Sequence, residues 1–70
     1  MAEIRAEMVA NVWKVLVSEG DRVEDGDTVV ILESMKMEIP VLAEGAGSVS
    51  QLLVAEGQVV QEGDLIAVVA

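Results

Sequence analysis

Set against itself at an offset of 37 positions, this 70-residue chain repeats: residues 9–33 align with 46–70 without a gap, and eight of the 25 pairs are identical. The identities are Val12/Val49, Leu16/Leu53, Val17/Val54, Glu19/Glu56, Gly20/Gly57, Val23/Val60, Gly26/Gly63 and Asp27/Asp64. Each copy reads as a strand, a Glu-Gly turn, a short strand, a Gly-Asp turn and a further strand, with glycine where a turn needs positive φ. A unit of this length cannot bury an apolar face alone, so the two copies are expected to pack face to face. The repeat therefore predicts two antiparallel sheets related by a pseudo-twofold axis within one domain spanning residues 1–70.

The local patterns agree with an all-β fold. Valine supplies 14 residues and there is no Phe or Tyr; a β-branched side chain fits a pleated, half-buried surface better than a helix. Residues 3–8 (Glu-Ile-Arg-Ala-Glu-Met) alternate strictly, as do Met37, Ile39, Val41 and Ala43, and both read as strands. Residues 28–32 and 65–69 are continuous apolar runs and read as strands buried on both faces. No 3.6-residue period persists, so no helix is expected. Residues 34–45 join the two copies. The strand over 28–34 runs directly into the strand over 37–43, which leaves Met35-Lys36 at a tight reversal projecting from one end of the domain.

Charge and composition exclude several functions. Thirteen acids against four bases give a formal charge of −9. Nucleic-acid binding needs a basic footprint to displace counterions, and an anionic membrane surface has the same requirement. Acidic charge instead keeps a Val-rich domain soluble and favours basic partners. With no His and no Cys, the chain lacks the usual general base, a thiolate nucleophile and ordinary zinc ligands, so no catalytic residue and no metal site are expected. Asp21, Glu24, Asp25 and Asp27 cluster around Gly26 but do not follow a calcium-loop spacing, and read as a solvated acidic turn. The sequence carries no spanning segment and no signal peptide, and reads as that of a soluble cytoplasmic protein. Trp13, the single aromatic residue, is expected to be partly buried, and Pro40 to mark an edge strand.

Chemistry concentrates at the reversal Glu33-Ser34-Met35-Lys36-Met37-Glu38. Of two lysines, Lys14 lies within a strand, whereas Lys36 falls on the hairpin tip. A neutral lysine amine is a good nucleophile toward an activated acyl group, and the resulting amide removes the charge and extends the arm. Hairpin tips favour Asn, Asp and Gly. Met35 and Met37 put large apolar groups there instead, which points to a recognition surface, although the alternation of Met37 with Ile39 also allows it to face the sheet.

Ser34-Met35-Lys36-Met37 resembles the Ala-Met-Lys-Met signature of biotin carboxyl carrier domains, with Ser34 where many such carriers have Ala. Together with the flanking repeat, nearly the whole chain resembles the biotinyl/lipoyl attachment family, most closely its free-standing single-domain members. The resemblance implies a flattened barrel of two four-stranded sheets. It also implies biotin in amide linkage to Lys36, with Met35 and Met37 as flanking recognition residues beside Ser34 and Glu33. The implied partners are a biotin protein ligase that modifies the lysine, and biotin carboxylase and carboxyltransferase components between which the carrier moves CO₂. Lipoate on the same lysine is the first alternative, though Met on both sides resembles the biotin pattern. The second is an unmodified binding module whose hairpin is a docking site.

Overall fold

The computed structural model describes residues 2–70. It contains eight strands: β1 (Ala2–Arg5), β2 (Ala10–Val15), β3 (Arg22–Val23), β4 (Thr28–Ser34), β5 (Met37–Leu42), β6 (Gly47–Leu52), β7 (Val59–Val60) and β8 (Leu65–Val69). They form two four-stranded sheets in the orders β1-β8-β6-β3 and β5-β4-β2-β7, and every paired contact is antiparallel. No helix of the structure is long and apolar enough to cross a membrane.

The repeat and the architecture coincide. An offset of 37 carries β2 onto β6 and β3 onto β7 residue for residue, starts β4 and β8 at equivalent positions, and lays β1 on the second part of β5. Applied to the sheet orders, the same operation turns one sheet into the other. The two copies do not pack face to face as separate layers, however. Each sheet takes two strands from each half of the chain, because the turn after β2 delivers the following short strand to the opposite sheet, and the turn after β6 does likewise. The halves are interwoven, and neither has a core of its own.

The symmetry also reaches further back than the sequence alignment did. Ala6 matches Ala43 and Glu7 matches Glu44. Ala6 donates its N–H to the Asp64 carbonyl at 2.9 Å and accepts from the Gly63 N–H at 2.8 Å; Ala43 donates to the Asp27 carbonyl at 2.8 Å and accepts from the Gly26 N–H at 2.9 Å. This bonding draws the chain off the sheet, so β1 stops at Arg5 and the alternation continuing to Met8 is not a strand.

Four turns of one design hold the weave. At 18–21, 24–27 and 61–64, an aspartate carboxylate in the fourth position accepts the N–H of the first at 2.8 Å, and at 55–58 Gln58 does so at 3.1 Å. The third position is always glycine, with φ between 88° and 93°, the value a type II turn requires there. The carboxylates of Asp21 and Asp27 are therefore committed to backbone N–H groups, and that of Asp25 accepts the Gly45 N–H at 2.9 Å. Two turns also clamp the other half of the molecule. Glu19 accepts the Leu52 N–H and Glu56 accepts the Val15 N–H, each at 3.1 Å and just past the irregularity in β6 and β2.

Between the sheets lies a core of aliphatic side chains: Val12, Val23, Val29, Val30, Leu32, Val49, Val60 and Ile66 are each no more than 2% exposed. No polar side chain among the described residues is buried with them. Valine in this number suits a thin layer, and the molecule measures 31 × 17 × 17 Å. β8 is buried on both faces as expected, whereas β4 is only half-buried at Ile31 and Glu33. Pro40 lies in β5, an edge strand, where its missing N–H costs no ladder bond.

Because the Glu-Gly turns are equivalent, Gly20→Ala and Gly57→Ala are expected to destabilise the fold by similar amounts, about 1–2 kcal/mol each. The two should add in the double variant. Urea denaturation of the three proteins checks this, and a large difference between the single variants would contradict the equivalence.

Candidate functional site

β4 and β5 form one hairpin with the pairs Ile31↔Pro40, Leu32↔Ile39, Glu33↔Glu38 and Ser34↔Met37. Two residues close it, Met35 at φ 52° and Lys36 at φ 65°. Positive φ at both central positions defines a type I′ turn, whose twist matches that of the flanking strands. Asn-Gly is the usual occupant. A pair of long L side chains there sits in the left-handed region at a cost of about 1 kcal/mol or more for each residue. No other non-glycine residue among those described has positive φ, so the chain tolerates this conformation only where Lys36 is presented.

The hairpin outruns its neighbours. The last pair that β2 makes with β4 is Asn11↔Glu33, so the Ser34↔Met37 pair has no third strand beside it. That explains the exposure of Met37. It keeps the register of Ile39 and Val41, which are half-buried, yet is 64% exposed because the core ends before it. Met35 is 91% exposed. Lys36 is exposed, and neither ion pair among the described residues involves it. Lys14 differs: its ammonium stands 5.5 Å from the Trp13 ring centroid, within cation–π range. Trp13 sits at the irregularity of β2 and is 41% exposed, more open than the sequence suggested.

Ser34 and Glu33 are half-buried. Glu33 faces Glu38 directly across the hairpin, and like charges in that relation repel. Acidic side chains thus lie one pair behind the lysine. No group of three or more potential metal ligands occurs among the described residues; the carboxylates of Asp21, Asp25 and Asp27 accept backbone N–H groups, and that of Glu24 pairs with Arg22 at 3.1 Å. The hairpin brings together Glu33, Ser34, Met35, Lys36 and Met37 as one protruding unit.

The tip is remote from the chain ends. Ala70 exchanges backbone bonds with Ser48 near the start of β6, which follows closely after the end of β5. The six residues of β5 separate that end from the tip, about 20 Å at strand rise.

The structure is a small sandwich that raises one lysine on a strained two-residue tip. The chain belongs to the Biotin_lipoyl family, described as biotin-requiring enzyme, whose profile matches residues 2–69. It is 67% identical over 48 residues to the biotinylated protein TB7.3 homolog of Mycobacterium leprae, an alignment covering 67% of this chain and 68% of that one. It is 52% identical over 44 residues to the biotin/lipoyl attachment protein of Bacillus subtilis, covering 63% and 60% of the two chains. In the crystal structure of Kluyveromyces lactis urea carboxylase, a region superposes with a TM-score of 0.91 and 39% identity, covering 99% of this chain and 6% of that one. The two antiparallel sheets read from the repeat, with the four strands each that the resemblance implied, are the fold of that region.

Replacing Met35 with Asn, the residue best suited to the left-handed region after glycine, is expected to stabilise the domain by about 0.5–1 kcal/mol. Thermal and urea unfolding of Met35→Asn beside the parent protein measures this. A loss of stability would mean that Met35 packs in a way its 91% exposure does not suggest.

Proposed function

We propose that this domain is a biotin carrier, acylated on Lys36 and serving a biotin-dependent carboxylase. The observation that carries the reading is the type I′ tip: a free, exposed lysine between two exposed methionines, held in a conformation those residues otherwise avoid. The similarity to a mycobacterial biotinylated protein and to part of a urea carboxylase supports the same reading.

The residues fit an acyl group joined through an amide. The neutral Nζ of Lys36 attacks the acyl carbon of an activated acyl donor, such as the acyl-adenylate supplied by a biotin protein ligase. The new C–N bond replaces the acyl–oxygen bond, the nucleotide leaves with the bonding pair, and Nζ sheds one proton to solvent and keeps one N–H in the amide. Lys36 loses its positive charge, so the formal charge falls by one from −9 to −10. Biotin, once attached, supplies a ring nitrogen that carries CO₂ between a biotin carboxylase and a carboxyltransferase. The chain's own part is tethering. Lys36 stands at the end of a rigid hairpin, so the arm sweeps a limited volume and meets each partner site at an effective concentration on the order of mM. Met35 and Met37 offer polarizable apolar contacts on both sides of the amine, and Glu33 and Ser34 form the base of the tip. The reading takes residues 1–70 as one attachment domain and sets it in the cytoplasm, where ATP-dependent acylation has its nucleotide supply.

A lipoyl carrier is the second reading, favoured by the biotin/lipoyl attachment protein among the similar chains. Intact-mass spectrometry of the protein from its native cells, with Lys36→Arg as control, separates the possibilities. The expected result is a mass gain equal to biotin that disappears in the variant. A gain equal to lipoate would select the second reading. An unmodified mass even after incubation with ligase, biotin and ATP would overturn both and leave a docking module.

A further inference from the structure

Each sheet has a long edge strand, β1 in one and β5 in the other, and an open groove of about 460 Å³ runs between the two. That volume lies within the range of small-molecule sites. The middle of the groove is symmetric: the offset of 37 carries Ile4 onto Val41 and Glu7 onto Glu44, and all four line it. Its ends differ. Met8, Leu32 and Ile39 line it as well, whereas their counterparts Gly45, Val69 and Ala2 do not. The apolar lining is thus drawn out toward the pole of Lys36, and the Leu32↔Ile39 pair lies two pairs behind Ser34↔Met37. The counterparts show that the fold does not require large apolar side chains at positions 8 and 39. Leu32 forms a buried floor, Ile39 is half-buried and Met8 is exposed. On the rim, Glu3 is engaged with Arg5 at 2.8 Å, whereas Glu7 and Glu44 take part in neither ion pair among the described residues.

We propose that this groove is a resting site for the uncharged biotin ring attached to Lys36 of the same chain. The inference rests on the carrier reading above and adds a second set of residues that meet its cofactor. Reach selects the occupant. Ile39 is three residues from Lys36, about 10 Å at strand rise. A lysine stem extended by an acyl chain spans about ten bonds, roughly 12 Å when stretched, so the ring arrives at the Ile39 end of the groove without movement of the body. The chemistry agrees. The fused rings present apolar faces to Met8, Leu32 and Ile39, and the ureido N–H and C=O can meet backbone groups that edge strands leave without a ladder partner. The carboxylates of Glu7 and Glu44 suit a neutral ring better than an anionic one. Tethering makes weak binding sufficient: at an effective concentration on the order of mM, an intrinsic Kd of about 1 mM keeps the ring in the groove about half of the time. Each partner enzyme then meets only the remaining fraction of free arms, and its apparent affinity falls in proportion.

The test loads Lys36 with purified biotin protein ligase, biotin and ATP, verifies the loading by intact mass, and compares methyl NMR spectra of the loaded and unloaded chains. Shifts are expected at Met8, Leu32 and Ile39, with nuclear Overhauser contacts from the ring protons to Met8 and Ile39. None are expected at Val23 and Val60, in the edge strands β3 and β7. Streptavidin capture gives a second readout. Ile39→Ala and Met8→Gly install the residues the fold accepts at positions 2 and 45, and each is expected to speed capture about twofold by freeing the arm. Either variant serves should the other misfold. Ala2→Ile, the reverse change at the other pole, should leave the rate unaltered. Ring contacts confined to residues 34–38, equal capture rates in all folded variants, or shifts that grow with protein concentration as arms enter other copies, would overturn the resting site while leaving the carrier function standing. A parent chain that takes no biotin on Lys36 would overturn the carrier reading, and the resting site with it.

Discussion

The crossing of the chain between sheets at Glu19-Gly20 and Glu56-Gly57 is the constraint on which the rest of the structure depends. Each glycine, at φ 93° and 89°, reverses the chain, and each donates its N–H across the interface, Gly20 to the Val49 carbonyl and Gly57 to the Val12 carbonyl, both at 2.8 Å. The neighbouring glutamates bind the same opposite strands through their carboxylates. Because the two turns exchange short strands between layers, neither sheet can form without both halves of the chain. A domain of this size leaves little margin of stability, and interweaving ties the two halves together without disulfides or aromatic side chains in the core.

That rigidity permits the strain at the tip. Two long residues in the left-handed region would open a free hairpin, which is marginal in water at best. Here β4 is pinned on its other side by β2 and packs Val29, Val30 and Leu32 into the core. The strands entering the turn are held by the body, and the two-residue closures that match their twist, types I′ and II′, both demand positive φ at Met35. Stability accumulated in the body thus maintains an unfavourable conformation where an amine is displayed.

Much of this was legible in the sequence. The repeat at an offset of 37 gave the strand order within each half, the glycine turns and the reversal at Lys36, because identical turn chemistry and apolar periodicity are local properties. The interweaving was not legible: which sheet receives Arg22-Val23 or Val59-Val60 depends on pairing with strands far along the chain, and two-residue strands carry too little pattern to announce it. The end of β1 at Arg5 was hidden in the same way, since the alternation to Met8 persists while Ala6 is bonded to a distant turn. At the tip, the motif located the lysine, but the exposure of Met37 followed only once the β2–β4 ladder was seen to end at the pair Asn11↔Glu33.

The pairing of Ala2 with Val69 has a topological consequence. It is the symmetry mate of the pair Leu32↔Ile39, so the chain ends occupy the place that the hairpin occupies at the other pole. Six residues, 33–38, complete that hairpin. A reversal of the same length joining Val69 to Ala2 would turn the body into a closed ring with a hairpin at each pole. The backbone of the body is thus alike at its two poles, and what tells them apart is the side chains that each presents.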